Sequence, residues 1–310
     1  MSLQWVTGAK GFIGQNLSRQ LSTRGHLVVG LGRGQLTDHE IAANGLHGWL
    51  NSSITISSLE LLRAQYGLPE VVFHLAGGSA VAPSLRAPHE DFERTVHSTS
   101  VLLEWLRLES PGTSVVYVSS AAVYGANYAA LIAESNIPTP YSPYGFHKYC
   151  AELLIHEYAC NYNLKASIVR LFSVFGPGLR KQLLWDVANR LRSQSARIEL
   201  SGTGDELRDW LYIDDAVELL LQATTWVDSK VLTVNGGTGV GTSVRHTVEM
   251  LVAALGYEST LEFNGQIRVG DPRILIADTS RSDTLGFNST VSLMLGIEKT
   301  AQWLKQELTK

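Results

Sequence analysis

Short apolar runs rich in β-branched residues alternate with amphipathic stretches through the first half of the chain. Leu3 to Val6 has the length and composition of a strand. Ile13, Leu17 and Leu21 then step by four, which predicts a helix over Phe12 to Thr23. Leu27 to Leu31 is the next apolar run, closed by Gly32-Arg33-Gly34. Further along, the pattern predicts a helix over Ser57 to Tyr66 and a strand over Val71 to Ala76, stopped by Gly77-Gly78. A long helix over Phe92 to Arg107 follows, with Phe92, Val96, Leu103 and Leu106 on its core-facing stripe. Ser114 to Ser119 is a strand, Tyr144 to Tyr162 a helix and Lys165 to Phe172 a strand.

This order calls for a doubly wound, mostly parallel sheet with helices on both faces. Ligands of such sheets bind beyond the carboxyl ends of the strands. The pattern loosens after Phe172. Helices are expected over Gln182 to Arg192, Asp214 to Thr224, Val244 to Leu255 and Ser292 to Leu308, with strands over Arg197 to Leu200 and Val231 to Asn235. The expected division is a dinucleotide-binding domain over 1–172, to which segments near 205–240 return, and a smaller α/β substrate domain over 173–310.

Composition narrows the class. The 310 residues are 45% hydrophobic and 17% charged, enough for a sizeable core. A formal charge of −4 gives no overall electrostatic case for nucleic acid or an anionic membrane. No run of about 18 apolar residues and no signal-peptide pattern is present, so the expectation is a soluble, cytoplasmic protein with no metal site. Cys150 and Cys160 fall ten positions apart in one predicted helix, about 15 Å along its axis, too far to bridge.

The candidate chemistry sits at the predicted strand tips. Gly8-Ala9-Lys10-Gly11-Phe12-Ile13-Gly14 joins the first strand to the first helix. Such a loop lets backbone approach a pyrophosphate, and the helix start offers free N–H groups. Its spacing is G-x-x-G-x-x-G rather than the generic G-x-G-x-x-G. The second strand ends without an acid to accept hydrogen bonds from the adenosine ribose. Arg33 stands there instead, with Lys10 nearby, so the charges favour NADP(H) and leave NAD(H) possible. Tyr144 and Lys148 are one helical turn apart, behind Ser142 as N-cap and Pro143 at the first helical position. The ammonium and the helix dipole are expected to lower the phenol toward working pH, as a general acid/base requires. Ser120, at the end of a strand, could hold the reacting oxygen.

Taken together, the glycine loop, Ser119-Ser-Ala-Ala-Val-Tyr-Gly125 and Ser142-Pro-Tyr-Gly-x-x-Lys148 resemble the extended short-chain dehydrogenase/reductases, also called the NAD-dependent epimerase/dehydratase family. The resemblance continues in Arg170-Leu-Phe-Ser-Val-Phe-Gly-Pro-Gly178, in 204–215, in 235–243 and in Arg268-Val-Gly-Asp-Pro-Arg273 with Asp278, segments typical of the nucleotide-sugar branch. It implies a Rossmann-type fold, with Ser120, Tyr144 and Lys148 as the catalytic triad. Gly8, Gly11 and Gly14 match the pyrophosphate loop, and Lys10, Phe12, Ile13, Arg33, Asn51 and the tip Leu75-Ala76-Gly77 are counted with the cofactor contacts. Arg208 and Arg268 match arginines that grip the diphosphate and nucleotide of an NDP-sugar, and Ser79, Ser173, Arg180 and Lys181 join them as substrate candidates. For Arg208, an ion pair with Asp209 or Asp205 is the competing reading.

Departures from the family refine this. Ala121-Ala122 stand where relatives that remove water resemble one another in carrying Asp-Glu, and the glutamate of decarboxylating relatives and the cysteine of 3,5-epimerase-reductases are also missing from this turn. Ser173 and Thr95 replace frequent asparagines, Asn51 an aspartate near adenine, and Ser79 a lysine of some 4-epimerases. The resulting expectation is an NADPH-dependent reductase of an NDP-4-keto-6-deoxyhexose. The alternatives are an NDP-sugar 4-epimerase with tightly held NAD and a non-catalytic sensor of the dinucleotide. By the same resemblance a homodimer is expected, built on the helices of 92–107 and 144–162.

Overall fold

The computed structural model describes residues 2–193, 197–227, 231–266 and 270–309. A seven-stranded sheet holds β1 (Leu3–Thr7), β2 (Leu27–Gly32), β3 (Gly48–Asn51), β4 (Val71–His74), β5 (Ser114–Ser120), β6 (Ala166–Leu171) and β10 (Leu232–Gly236) in the order β10-β6-β5-β4-β1-β2-β3. β1 pairs in parallel with both β2 and β4. The chain runs outward from β1 through β2 and β3, then returns to lay β4 on the other side of β1. That reversal is the topological switch point of a Rossmann-like sheet, where such folds bind ligands. Helices α1 (Phe12–Thr23), α2 (Asp38–Ala43) and α3 (Ile56–Tyr66) connect the first strands. α2 and α3 each begin with a reciprocal capping box, Thr37 with Glu40 and Thr55 with Ser58.

Beyond β4 come α4 (Val81–Arg86), α5 (Pro88–Phe92), a π-helical turn over Glu93–His97, and α6 (Ser98–Glu109). α7 spans Pro143–Tyr162. The core of this unit packs β strands against α6 and α7, with Trp5 stacked on Trp105 at 5.5 Å and Leu102, Leu106, Val115, Ala151 and Ile155 fully buried. Each such leucine contributes roughly 1.5–3 kcal/mol relative to exposure.

The π turn corrects one expectation. Phe92 is 40% exposed rather than on the core stripe, while Asp91, Thr95 and Thr99 are buried. The wider turn inserts a residue into the helical repeat, so inward positions upstream recur every four residues and fall on polar side chains. β4 also stops at His74, two residues before the predicted end, which frees Leu75–Gly77 as a loop.

The chain divides into two compact units: 1–124, 137–170 and 217–234 form the first, and 125–136, 171–216 and 235–310 the second. In the second, β9 (Leu207–Tyr212) is central, flanked by β11 (Gly241–Ser243) and β13 (Ile274–Leu275), and also paired with β7 (Ser173–Phe175). β8 (Arg197–Leu200) and β12 (Thr260–Phe263) form a separate parallel pair. Helices α8 (Gln182–Arg192), α10 (Val244–Leu255), α11 (Ser280–Thr284) and α12 (Leu293–Leu308) complete it, and α9 (Ile213–Gln222) follows β9 directly. Among the described residues, no helix is long and apolar enough to cross a membrane.

Candidate active site

The glycine loop lies at the tip of β1. Gly8 adopts φ +73°, a conformation that disfavours any side chain, and its N–H donates to the Leu31 carbonyl at 2.7 Å. A Cβ on Gly14 would lie 2.4 Å from the Gly8 carbonyl oxygen, so the helix can start against the loop only with glycine there. Gly11 is the N-cap of α1 with no side-chain hydrogen bond to the first turn. Phe12, Ile13 and Gly14 therefore open the helix with N–H groups free of side-chain capping. The tip of β4 runs alongside: a Cβ on Gly8 would come 3.0 Å from the Ala76 nitrogen, and Ala76 N–H donates to Thr7 Oγ1 at 3.2 Å. Leu75 N–H donates to the Thr7 carbonyl. These contacts bring Leu75 and Ala76 beside the loop, with Gly77 next along the chain.

At the end of β2, Lys10 lies against the turn that carries Arg33. Lys10 Nζ donates to the Gln35 carbonyl at 2.8 Å, and Asn51 Oδ1 accepts from Gly34 N–H at 2.7 Å. Both side chains hold the 33–35 turn, and the lysine is engaged by a backbone oxygen. Arg33 is exposed.

α7 carries the acid/base candidates. Ser142 caps it, accepting from Gly145 N–H at 3.2 Å, and Pro143 occupies the first position. Ser84 of α4 accepts from Tyr144 N–H at 3.1 Å, so a second hydroxyl, from a distant segment, satisfies the next orphan donor. Lys148 is buried. Its Nζ donates to the Val118 carbonyl at 2.8 Å, stands 5.0 Å from the Tyr117 ring centre, and would be 3.4 Å from a Cβ on Gly77. Burial lowers this ammonium to about 8, against the pull of the Asp91 and Glu152 carboxylates.

The Ser120 hydroxyl is a polar neighbour of the Tyr144 phenol and pulls it toward ionisation. Contrary to the expectation of a lowered phenol, burial pushes Tyr144 up, Ser120 pulls it down, and the Asp91 carboxylate adds to the upward push.

Three buried contacts around this couple were not found from the sequence. Asp91 Oδ2 accepts from His147 Nδ1 at 2.6 Å. Thr95 Oγ1 accepts from Gly78 N–H at 2.8 Å, the task left to the residue that replaces the family's asparagine. Glu152 pairs with Arg170 (2.6 Å) and takes a hydrogen bond from Ser119, bracing the strand end below Ser120.

In the second unit, Arg208 donates to the carbonyls of Leu207 (2.9 Å) and Pro272 (2.7 Å) and approaches Asp271 at 3.6 Å. Asp209 collects Thr238 N–H and hydroxyl, Gly239 N–H and Ala277 N–H. Ser173 begins β7 and pairs with Trp210. Arg180 is held by Glu307 at 2.6 Å and faces the Trp303 ring, and Lys181 is the N-cap of α8. Ser79 is exposed in the loop before α4. Arg268 lies outside the described residues.

A dinucleotide cradle with a serine–tyrosine couple and a buried lysine defines a class. The chain belongs to the NAD dependent epimerase/dehydratase family, whose profile matches residues 5–235. Over 97% of its length it is 30% identical to a UDP-glucose 4-epimerase of Mycolicibacterium smegmatis, covering 98% of that protein. Among solved structures it is similar to a Thermotoga maritima UDP-glucose 4-epimerase with UDP-glucose (TM-score 0.88, 28% identity, 99% of each chain). It is also similar to MoeE5 with UDP-glucuronic acid and NAD (TM-score 0.86, 30% identity, 98% of this chain and 99% of that one). These findings support the epimerase alternative over the reductase expected from the charges, and they lend no support to a preference for NADP.

Proposed function

We propose that this chain is an NAD-dependent 4-epimerase of a UDP-sugar. The observation that carries the reading is the convergence of Ser120 at the strand tip, Tyr144 in the first turn of α7 and the buried Lys148 ammonium beside Gly77. The loop fits a dinucleotide: glycine at 8 and 14 lets the loop, the start of α1 and the β4 tip pack backbone to backbone, and the uncapped first turn of α1 offers N–H groups to a pyrophosphate. The chemistry a bound NAD supplies is reversible hydride acceptance from C4–H of the sugar.

Tyr144 takes the proton of the C4 hydroxyl as the C–H bond breaks, giving a 4-keto sugar. Ser120 donates to the same oxygen and holds it at the phenol. When the C4–H bond re-forms with inverted configuration, Tyr144 would hand the proton back to the C4 oxygen, giving the C4 epimer and restoring the phenol. Lys148 supplies a positive charge beside the Gly77 backbone. Ala121 and Ala122 offer no second acid or base, which keeps the chemistry at C4 and away from elimination at C5–C6. Arg208 is assigned to the diphosphate of the nucleotide, a role suited to a guanidinium fork.

The catalytic assembly is inferred to be a cytoplasmic homodimer. Leu108 of α6 and Phe146, Leu153 and Tyr162 of α7 are exposed and suit a helix-to-helix interface. Arg33, with no acid at the end of β2, favours a second reading as an NADPH-consuming reductase. Denaturing the purified protein and identifying the released cofactor separates the two. Retained NAD, with no net change in reduced-nicotinamide absorbance during sugar turnover, supports the epimerase. Stoichiometric NADPH consumption with a 4-keto sugar supports the reductase.

A further inference from the structure

We propose that His147 is a positioning residue for the proton-transfer couple, acting through Asp91 to fix the first two turns of α7 against the Gly77-Gly78 loop. The inference deepens the epimerase reading and rests on it for the identity of the reacting group.

Asp91 and His147 are far apart in sequence and nearly enclosed, with side chains 7% and 16% exposed. A buried carboxylate is costly unless its oxygens are satisfied. Oδ2 accepts from the His147 ring at 2.6 Å. Oδ1 lies against Gly78, where an added Cβ would be only 2.0 Å away. One turn on, Thr95 holds the Gly78 N–H. The π turn at Glu93–His97 keeps Asp91 and Thr95 on one inward row, so the same helical segment grips the loop and α7 together. Phe92 closes the outside of the pair, its ring 5.6 Å from the imidazole in an edge-on arrangement.

His147 sits between the two working side chains, three residues after Tyr144 and one before Lys148. The Asp91 carboxylate acts on both, favouring the charged lysine and disfavouring the phenolate. The titratable groups that face Asp91 are His147, Tyr144 and Lys148 of α7 and Tyr117 of β5. Lys148 in turn faces Glu152 and His74, and Tyr117 faces Glu152 and Cys150. Among these, only the His147 donor is hydrogen-bonded to the carboxylate and fixes its direction. Without it, the carboxylate is free to turn toward the phenol.

The test compares His147→Phe, which keeps ring volume but no donor, with His147→Asn, which keeps a donor near the Nδ1 position. Two readouts are taken. In the unliganded protein, the Tyr144 phenol is titrated by near-ultraviolet difference absorbance against Tyr144→Phe in the same background. His147→Phe is expected to raise the midpoint by about one pH unit, whereas His147→Asn stays near wild type. Asp91→Asn, should His147→Phe not fold, is expected to lower the midpoint instead. In turnover with UDP-glucose or UDP-glucuronic acid, His147→Phe is expected to lower kcat about tenfold with KM unchanged, and His147→Asn to restore most of it. A midpoint unmoved in both His147→Phe and Asp91→Asn, or equal kcat losses for the two histidine variants, overturns the proposal. A wild-type protein inert toward both sugars whose phenol midpoint still moves as stated contradicts the epimerase reading and leaves the positioning role standing.

Discussion

The ammonium of Lys148 donates to the carbonyl of Val118 at 2.8 Å, tying the second turn of α7 to the strand that ends in Ser120. The lysine thereby fixes the distance between the two elements that carry the serine and the phenol. The cost is a buried charge, lowered from 10.5 to about 8.

That shift predicts opposite pH trends for activity and stability. Between pH 8 and 10.5 the unfolded chain holds a proton on this lysine and the folded chain does not, so stability rises with pH by about 1.4 kcal/mol per unit. Over the same range the site loses its cation, and turnover falls. Denaturant melts of wild type and Lys148→Met across this window are expected to diverge with that slope, while the variant loses activity at every pH.

His74 gives the complementary acid effect. It is buried between the hydroxyls of Thr7 (2.7 Å) and Thr99 (3.0 Å), and burial, helped by Lys148, lowers it from 6.5 to about 3. Below pH 6.5 the unfolded chain takes a proton that the folded chain refuses. Stability from this residue is complete above 6.5 and is lost as pH falls toward 3, again about 1.4 kcal/mol per unit. His74→Gln is expected to flatten the difference in unfolding free energy between pH 6 and pH 4.

Gly14→Ala tests the cradle. The new methyl would lie 2.4 Å from the Gly8 carbonyl oxygen and 2.7 Å from the Ala9 Cα, both backbone atoms. The expected outcome is a loss of about 1–3 kcal/mol in stability, with co-purified dinucleotide falling to background. Thermal melting and cofactor content of the purified variant measure both.

Leu153→Glu tests the inferred assembly. Placing a carboxylate on the exposed apolar side of α7 is expected to convert a dimer of wild-type chains into monomers by light scattering. A wild-type chain that is itself monomeric would remove the dimer from the account.

Helices whose apolar residues step regularly were legible from sequence to the residue. Phe12–Thr23, Gln182–Arg192 and Val244–Leu255 carry their own periodicity and end signals. The π turn left no such mark, because Phe92 and Val96 continue an apolar stripe that the widened turn rotates out of the core. β3 and β9 were missed since Gly48–Asn51 is short and Leu207–Tyr212 interleaves Arg208 and Asp209 with its apolar positions. At the site, residues joined by a local motif were readable: the glycine loop, Ser142-Pro143, Tyr144 and Lys148. Partners brought together only by folding were not. Ser84 on Tyr144, Asp91 on His147 and Gln35 on Lys10 are long-range contacts that local spacing does not reveal.

The most direct test is to incubate the purified protein with UDP-glucose and with UDP-glucuronic acid and follow C4 configuration by proton NMR, beside Tyr144→Phe. The account predicts conversion to the C4 epimer by the wild type with no added reductant, and a loss of at least about a hundredfold in the variant. Inversion that survives intact in Tyr144→Phe would contradict it, as would turnover only of a 4-keto sugar at the expense of NADPH.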